Sequence, residues 1–428
     1  MLVNCIFFYS ISLFCYHTFV ELSIFVNRIA MNILVIILRR MKVTQIYENF
    51  LENEKAGGII LILATLTSLL IANSSFGHQY IGFWEMHVGG FSIEHYVNDG
   101  LMTIFFLLIG LELEREVYAG ELSNFKKALL PIVAALGGML VPAAIHLYFN
   151  TGTEFQSGAG IPMATDIAFA IGVLSLLGNR VPLSLKIFLT ALAVIDDLGA
   201  IFTIAIFYSK GLDFVNLGIS IGILGLLFIL NRMKVQNMWL YILGGIGMWY
   251  FMLHSGVHPT ITGVMLAFVL PFGTGEEDSI SIKWEHFLVK PVAFIILPVF
   301  ALANTCILIE PEFAEGLLSS NSIGIFMGLV IGKPLGIMLF CAIAVAIGIC
   351  TIPKDLKWAQ VFGAACLGGI GFTMSIFITL LAFDNHLFIS ESKIAIMISS
   401  LVAAIIGLIV LRITLKEQID PEFQDDIE

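Results

Sequence analysis

The chain has 428 residues, 58% hydrophobic and 12% charged, with a mean hydropathy of +0.97. That composition excludes a soluble domain and describes an all-α polytopic membrane protein. A net charge of −11 without a strongly basic segment argues against nucleic acid, or an anionic membrane surface, as a partner.

Residues 1–40 form an apolar extension in two stretches, Cys5 to Val20 and Ser23 to Leu38, separated by Glu21 and broken by Asn27 and Arg28. No basic residue precedes Arg28, which is not the order of a signal peptide. An extra membrane segment or untranslated upstream sequence both fit, and a start near Met41 is preferred. From there an amphipathic lead sets Ile46, Phe50 and Leu51 among Glu48, Glu52, Glu54 and Lys55, and runs into a first span, Gly57 to Ala72.

The following loop reads W-E-M-H-V, Gly89-Gly90, F-S-I-E-H-Y-V, two alternating strands about a two-glycine turn. The pattern predicts a small external β-hairpin over about 84–97. Its edges are free to pair with a second copy, although a solvated loop ornament accounts for it equally well. Further spans are expected at 98–117, 128–148, 161–178, 183–208, 213–231, 238–253, 258–271, 287–309, 322–350, 358–383 and 391–413, which makes twelve. Nearly all of the 21 lysines and arginines then fall on one side, with Lys210 and Lys393 on the other. This places both ends of the 41–428 region in the cytoplasm. Six cysteines lack metal-ligand spacing and read as reduced packing residues.

The chemistry gathers in interrupted spans. V-I-D-D-L-G-A sets Asp196 and Asp197 side by side in an apolar run from Ile187 to Tyr208, where each charge costs several kcal/mol unless paired or hydrated. Adjacent helical residues point about 100° apart, so the two acids cannot share one role. In the fourth span G-A-G-I-P-M-A-T-D-I-A-F-A buries Pro162, Thr165 and Asp166, and in the eleventh G-G-I-G-F-T-M-S carries Gly368, Gly369, Gly371 and Thr373. Both predict helices that unwind within the membrane, though glycines there also serve simple close packing.

Lys333, in I-G-K-P-L-G-I, is the one basic residue well inside a span. It either snorkels to an interface or opposes a buried carboxylate. One lysine against three aspartates leaves room for protons or a hard cation, for which carboxylates, the Thr165 hydroxyl and unwound carbonyls are suitable ligands. At the end of the second span G-L-E-L-E-R-E places Glu112 and Glu116 about Arg115, and Glu285 and His286 open the ninth span on the same side. Local ion pairs at a solvated helix end account for these, as does a response to pH. His258 reads as a structural histidine or as a pH-sensitive one.

Together these stretches resemble the NhaA family of bacterial Na⁺/H⁺ antiporters, a fold that also serves as a general example of inverted repeats and broken helices. The matching blocks include F-F-L-L-I-G-L-E, A-T-D-I-A-F-A-I-G-V-L, A-L-A-V-I-D-D-L-G-A-I, H-S-G-V-H, I-G-K-P-L-G-I and G-I-G-F-T-M-S-I-F, over roughly Met41 to Leu415. The resemblance implies inverted-topology repeats in a core at about 128–208 and 322–413, with interface spans at about 57–117 and 213–309. It implies that the two discontinuous helices cross at mid-membrane, where Asp166 and Lys333 offset their ends. It further implies Asp197 as main cation ligand, Asp196 as proton-linked partner of Lys333, and Thr165 close by. Glu112 and Glu285 fall at positions tied to pH response, to which the neighbouring Glu116 and His286 are added as candidates, and the hairpin falls at a homodimer contact. Glu114 and His254 depart from the pattern, which is basic there, and residues 1–40 match none of it.

The expected activity is electrogenic, pH-regulated export of Na⁺ or Li⁺ against protons by alternating access in the bacterial inner membrane, without a cofactor. The alternatives are an intramembrane aspartyl protease, which also uses two acids but lacks a G-x-G-D here, and a cation channel.

Overall fold

The computed structural model describes residues 54–209, 211–273, 279–309 and 316–415. The extension 1–40, the start at Met41 and most of the amphipathic lead lie outside the described residues. Helix α1 (Glu54–Ala72) turns by 114° into the short α2 (Gly77–Glu85). Strands β1 (His87–Val88) and β2 (Phe91–Ser92) follow, paired antiparallel with Val88 opposite Phe91. Gly89 and Gly90 have φ of 63° and 102°, the positive values a tight two-residue hairpin needs. The hairpin is shorter than the expected 84–97. Trp84 is buried within α2, and the Ser92 hydroxyl accepts from the His95 amide, which starts a helical turn at Ile93.

That turn runs into α3 (Met102–Tyr118), so that Ile93–Tyr118 is one continuous helix. Then come α4 (Phe125–Asn150), a tight 3-10 stretch at Gln156–Met163, α5 (Ile167–Ser175), α6 (Leu183–Phe207), α7 (Phe214–Arg232), α8 (Met238–Leu253) and α9 (Ile261–Ala267). The second half holds α10 (Ile280–Pro291), α11 (Leu297–Asn304), α12 (Ser320–Phe326), α13 (Lys333–Ala346), α14 (Trp358–Gly368), α15 (Phe372–Ala382) and α16 (His386–Thr414). Wide π turns join α10 to α11 at Val292–Ile296 and α12 to α13 at Met327–Gly332. Each lies just before a proline, Pro298 or Pro334. A prolyl nitrogen cannot bond the carbonyl four residues back, and the backbone widens there.

Among the described residues, eight helical segments are long and apolar enough to cross a membrane, and ten if each bent pair, α1 with α2 and α14 with α15, is one span. The remaining two of the expected twelve spans are α8, 16 residues, and α9, seven residues, both short of a crossing on their own. The described cysteines, Cys306, Cys341, Cys350 and Cys366, are unpaired. One close approach positions the site. A methyl on Gly336 of α13 would lie 2.1 Å from the carbonyl oxygen of Gly137 in α4, so only glycine lets these two backbones touch.

Candidate functional site

The fourth and eleventh spans are both interrupted, and their breaks meet. The first half of one ends at Met163, residues 164–166 are extended, and α5 begins at Ile167. The other bends by 45° between α14 and α15. The Asp166 amide donates to the Ile370 carbonyl at 2.7 Å, and the Ser375 hydroxyl donates to the Ile161 carbonyl at 2.7 Å. Backbone groups freed by unwinding in an apolar setting need partners, and each break supplies them to the other.

Charges sit at three of the four helix ends so created, and a hydroxyl at the fourth. The Asp166 carboxylate caps α5 by accepting from the Phe169 amide at 2.9 Å. Its other oxygen accepts from the Thr373 amide at 3.0 Å and hydroxyl at 2.6 Å, in the first turn of α15. One anion thus serves two helix N-termini, where partial positive charge concentrates. At the opposite ends the Lys333 ammonium donates to the Met163 carbonyl, and the Thr165 hydroxyl lies 2.9 Å from the Gly368 carbonyl. Lys333 is fully buried, so it does not snorkel.

The acids of α6 differ sharply in their surroundings. Asp196 Oδ2 lies 2.9 Å from Lys333 Nζ and 2.6 Å from the Thr165 hydroxyl. Asp197 is equally inaccessible, and neither of its oxygens has a hydrogen-bond partner; nor has Asp196 Oδ1. Three carboxylate oxygens therefore stand buried and unmatched beside a satisfied ion pair, an arrangement that invites a proton or a hard cation. Among the described residues no three His, Cys, Asp or Glu side chains form a metal centre. A cation here would take two carboxylates with neutral oxygens, a composition suited to a passing ion.

The sequence-marked cluster at the end of α3 faces α10. Arg115 Nε lies 3.1 Å from Glu285 Oε1, a charge contact without aligned hydrogen-bond geometry, and Arg115 Nη2 lies 3.4 Å from Glu116. Glu114 is buried and accepts from the Ser281 hydroxyl at 2.7 Å. Glu112 is half-buried and near enough to Asp197 for their charges to repel, whereas His286 is exposed. The structure thus gathers Glu116, Glu285 and Arg115, with Glu112 and the exposed His286 within electrostatic reach of Glu285, and adds Glu114 and Ser281.

Sequence reasoning missed Asp99. This acid is buried near the start of α3, with His95 Nε2 at 3.3 Å and His258 Nε2 at 3.5 Å, and lines a cavity of about 500 Å³. The signal was an acid two residues into the second expected span.

Interrupted membrane helices that bond to each other over buried carboxylates are the construction of secondary carriers, and that is the class of this molecule. The chain belongs to the family described as Na+/H+ antiporter 1, which matches residues 48–411. It is 76% identical over 387 residues to the Na(+)/H(+) antiporter NhaA of Cytophaga hutchinsonii, covering 90% of this chain and 100% of that relative. It is 63% identical over 372 residues to the Na(+)/H(+) antiporter NhaA 1 of Flavobacterium johnsoniae, covering 87% and 98%. With the Na(+)/H(+) antiporter NhaA of Dechloromonas aromatica it shares 59% over 370 residues, covering 86% and 95%.

Proposed function

We propose that this protein expels Na⁺ or Li⁺ in exchange for protons across the bacterial inner membrane, by alternating access and with net charge movement, as a carrier and not as an enzyme. The observation that carries the reading is Asp197, a fully buried carboxylate with both oxygens unpartnered beside the Asp196–Lys333 pair. Asp197 is the main cation ligand, and Asp196 is the site where proton and Lys333 charge are coupled. Thr165 supplies a neutral oxygen, while Asp166 and Lys333 balance the broken helix ends. Protons and Na⁺ compete for the same oxygens, so binding one releases the other.

The remaining assignments follow the family. The chain crosses the membrane twelve times with both ends of the 41–428 region cytoplasmic. Inverted repeats at about 128–208 and 322–413 form a core whose broken helices cross at mid-membrane, and this core moves against the spans at 57–117 and 213–309. Glu112, Glu116, Glu285 and His286 tune activity to pH through the contact between α3 and α10. The hairpin about Gly89-Gly90 joins two copies.

The deciding experiment is cation-dependent collapse of an imposed pH gradient in proteoliposomes. Asp197→Asn is expected to abolish it at every pH for Na⁺ and for Li⁺. Exchange at the wild-type rate by that variant would reject the assignment.

A further inference from the structure

The helix that carries Lys333 meets α4 along glycines. Gly324, Gly328, Gly332 and Gly336 recur at every fourth position from α12 into α13, and a Cβ added to any of them would come within 3.4 Å of an α4 atom. Such a face lets backbones approach, but it is smooth and opposes no sliding along the axis. Near the end of α4 one polar chain crosses it. His146, fully buried, faces Asn321 of α12, with Nε2 3.2 Å from Oδ1. Asn321 donates through Nδ2 to the Ser392 hydroxyl of α16 at 2.8 Å, and Ser392 donates to the Phe388 carbonyl at 2.7 Å. With its amide so committed, Asn321 offers His146 an acceptor, which places the imidazole proton on Nε2. Nδ1 is left buried without a partner, an orphan that a phenyl ring of similar shape would not carry.

The same ring sits between two elements of the exchange site. Its atoms would lie 3.2 Å from a Cβ on Gly158, in the 3-10 stretch that ends at Met163, and 3.0 Å from a Cβ on Gly324, in the continuous helix Ser320–Ala346. Those elements supply the Met163 carbonyl and the Lys333 ammonium that donates to it. We infer that His146 is a positioning residue for exchange: through Asn321 it fixes the register of the Lys333 helix against α4, and so where Lys333 stands toward Met163 and Asp196. A single buried polar contact sets register between coiled-coil helices in the same way. The inference rests on the reading of Asp196 and Lys333 as the proton-linked pair.

Initial rates of Na⁺-driven exchange in proteoliposomes, taken per amount of folded protein, test it. His146→Phe keeps a ring and loses the donor, so the apparent KM for Na⁺ is expected to rise about fivefold, the scale of one buried hydrogen bond. His146→Gln returns a donor near the Nε2 position without the ring and is expected to recover it. Asn321→Leu removes the acceptor and carries the same expectation where His146→Phe folds poorly, and the two together should do no more than either alone. Tyr241→Phe, which deletes a hydroxyl bonded to the Val235 carbonyl, is expected to lower Tm and leave KM unchanged. An unchanged KM in folded His146→Phe or in Asn321→Leu, no recovery in His146→Gln, or an equal rise in Tyr241→Phe would overturn the inference. Lys333→Ala in the same assay separates it from the reading beneath it. An unchanged KM there rejects that reading together with the inference, whereas a changed KM or lost exchange beside an unmoved His146→Phe rejects the inference alone.

Discussion

Thr165 has one hydroxyl proton and two acceptor neighbours, the Asp196 carboxylate at 2.6 Å and the Gly368 carbonyl at 2.9 Å. When Asp196 is ionised the proton serves the carboxylate. Once Asp196 is protonated its own O–H can donate to Thr165, whose proton turns to Gly368 at the end of α14. The hydroxyl thereby links the charge of Asp196 to a broken helix end. Thr165→Val keeps the shape and removes this donor, so the apparent KM for Na⁺ is expected to rise about tenfold, the equivalent of about 1.4 kcal/mol. Thr165→Ser should restore it, and initial exchange rates in everted vesicles against Na⁺ concentration measure both. At this scale much of the site was legible in the sequence, because a charge in an apolar run declares itself by its cost. Asp166, Asp196, Asp197 and Lys333 all did so. Which acid meets Lys333 was not legible from the residues, since it depends on how α6 is rotated against α13. Asp99 escaped because N-D-G at a span boundary also reads as a solvated turn.

Between elements the controlling contact is backbone against backbone. Gly336 of α13 lies one turn beyond Lys333, and a methyl there would fall 2.1 Å from the Gly137 carbonyl oxygen in α4. Gly336→Ala must push the two helices apart, at a cost of about 1–3 kcal/mol for an overpacked interior. Since Lys333 reaches Asp196 and Met163 from α13, that shift also loosens the ion pair. A lower Tm in detergent together with an altered pH profile of exchange is expected. Gly222→Ala in α7, where an added methyl meets nothing within 4 Å, serves as the control and should change neither. Helix breaks at 162–166 and 368–371 were readable from proline, glycine and acid in apolar runs. The π turns were not anticipated, although Pro298 and Pro334 mark them. The hairpin was read too long because W-E-M and I-E-H alternate like strands, whereas Trp84 and Glu85 close a helix on which Trp84 is buried, and the Ser92 cap starts a helical turn at Ile93.

For the whole molecule two properties remain to be measured, assembly and charge movement. If the hairpin joins two copies, replacing residues 87–92 by a short Gly-Ser linker should convert the dimer to a monomer in native mass spectrometry while leaving exchange in proteoliposomes largely intact. In the proposed cycle charge movement comes from having two acids beside one lysine, which would let more than one proton enter for each Na⁺ that leaves. Such a cycle carries net positive charge inward. An inside-negative potential of about 100 mV then contributes about 2.3 kcal/mol per net charge, enough to sustain a Na⁺ gradient on the order of 50-fold with no pH difference. An exchanger of one proton for one Na⁺ gains nothing from the same potential. Proteoliposomes loaded with equal Na⁺ and equal pH on both sides, and polarised inside-negative through a potassium ionophore, separate the two. Tracer Na⁺ is expected to leave the wild-type vesicles against its rising gradient and to stay in vesicles carrying Asp197→Asn. Tracer that stays in both, while the wild-type protein still collapses an imposed pH gradient, would establish electroneutral exchange and remove the second acid from proton coupling.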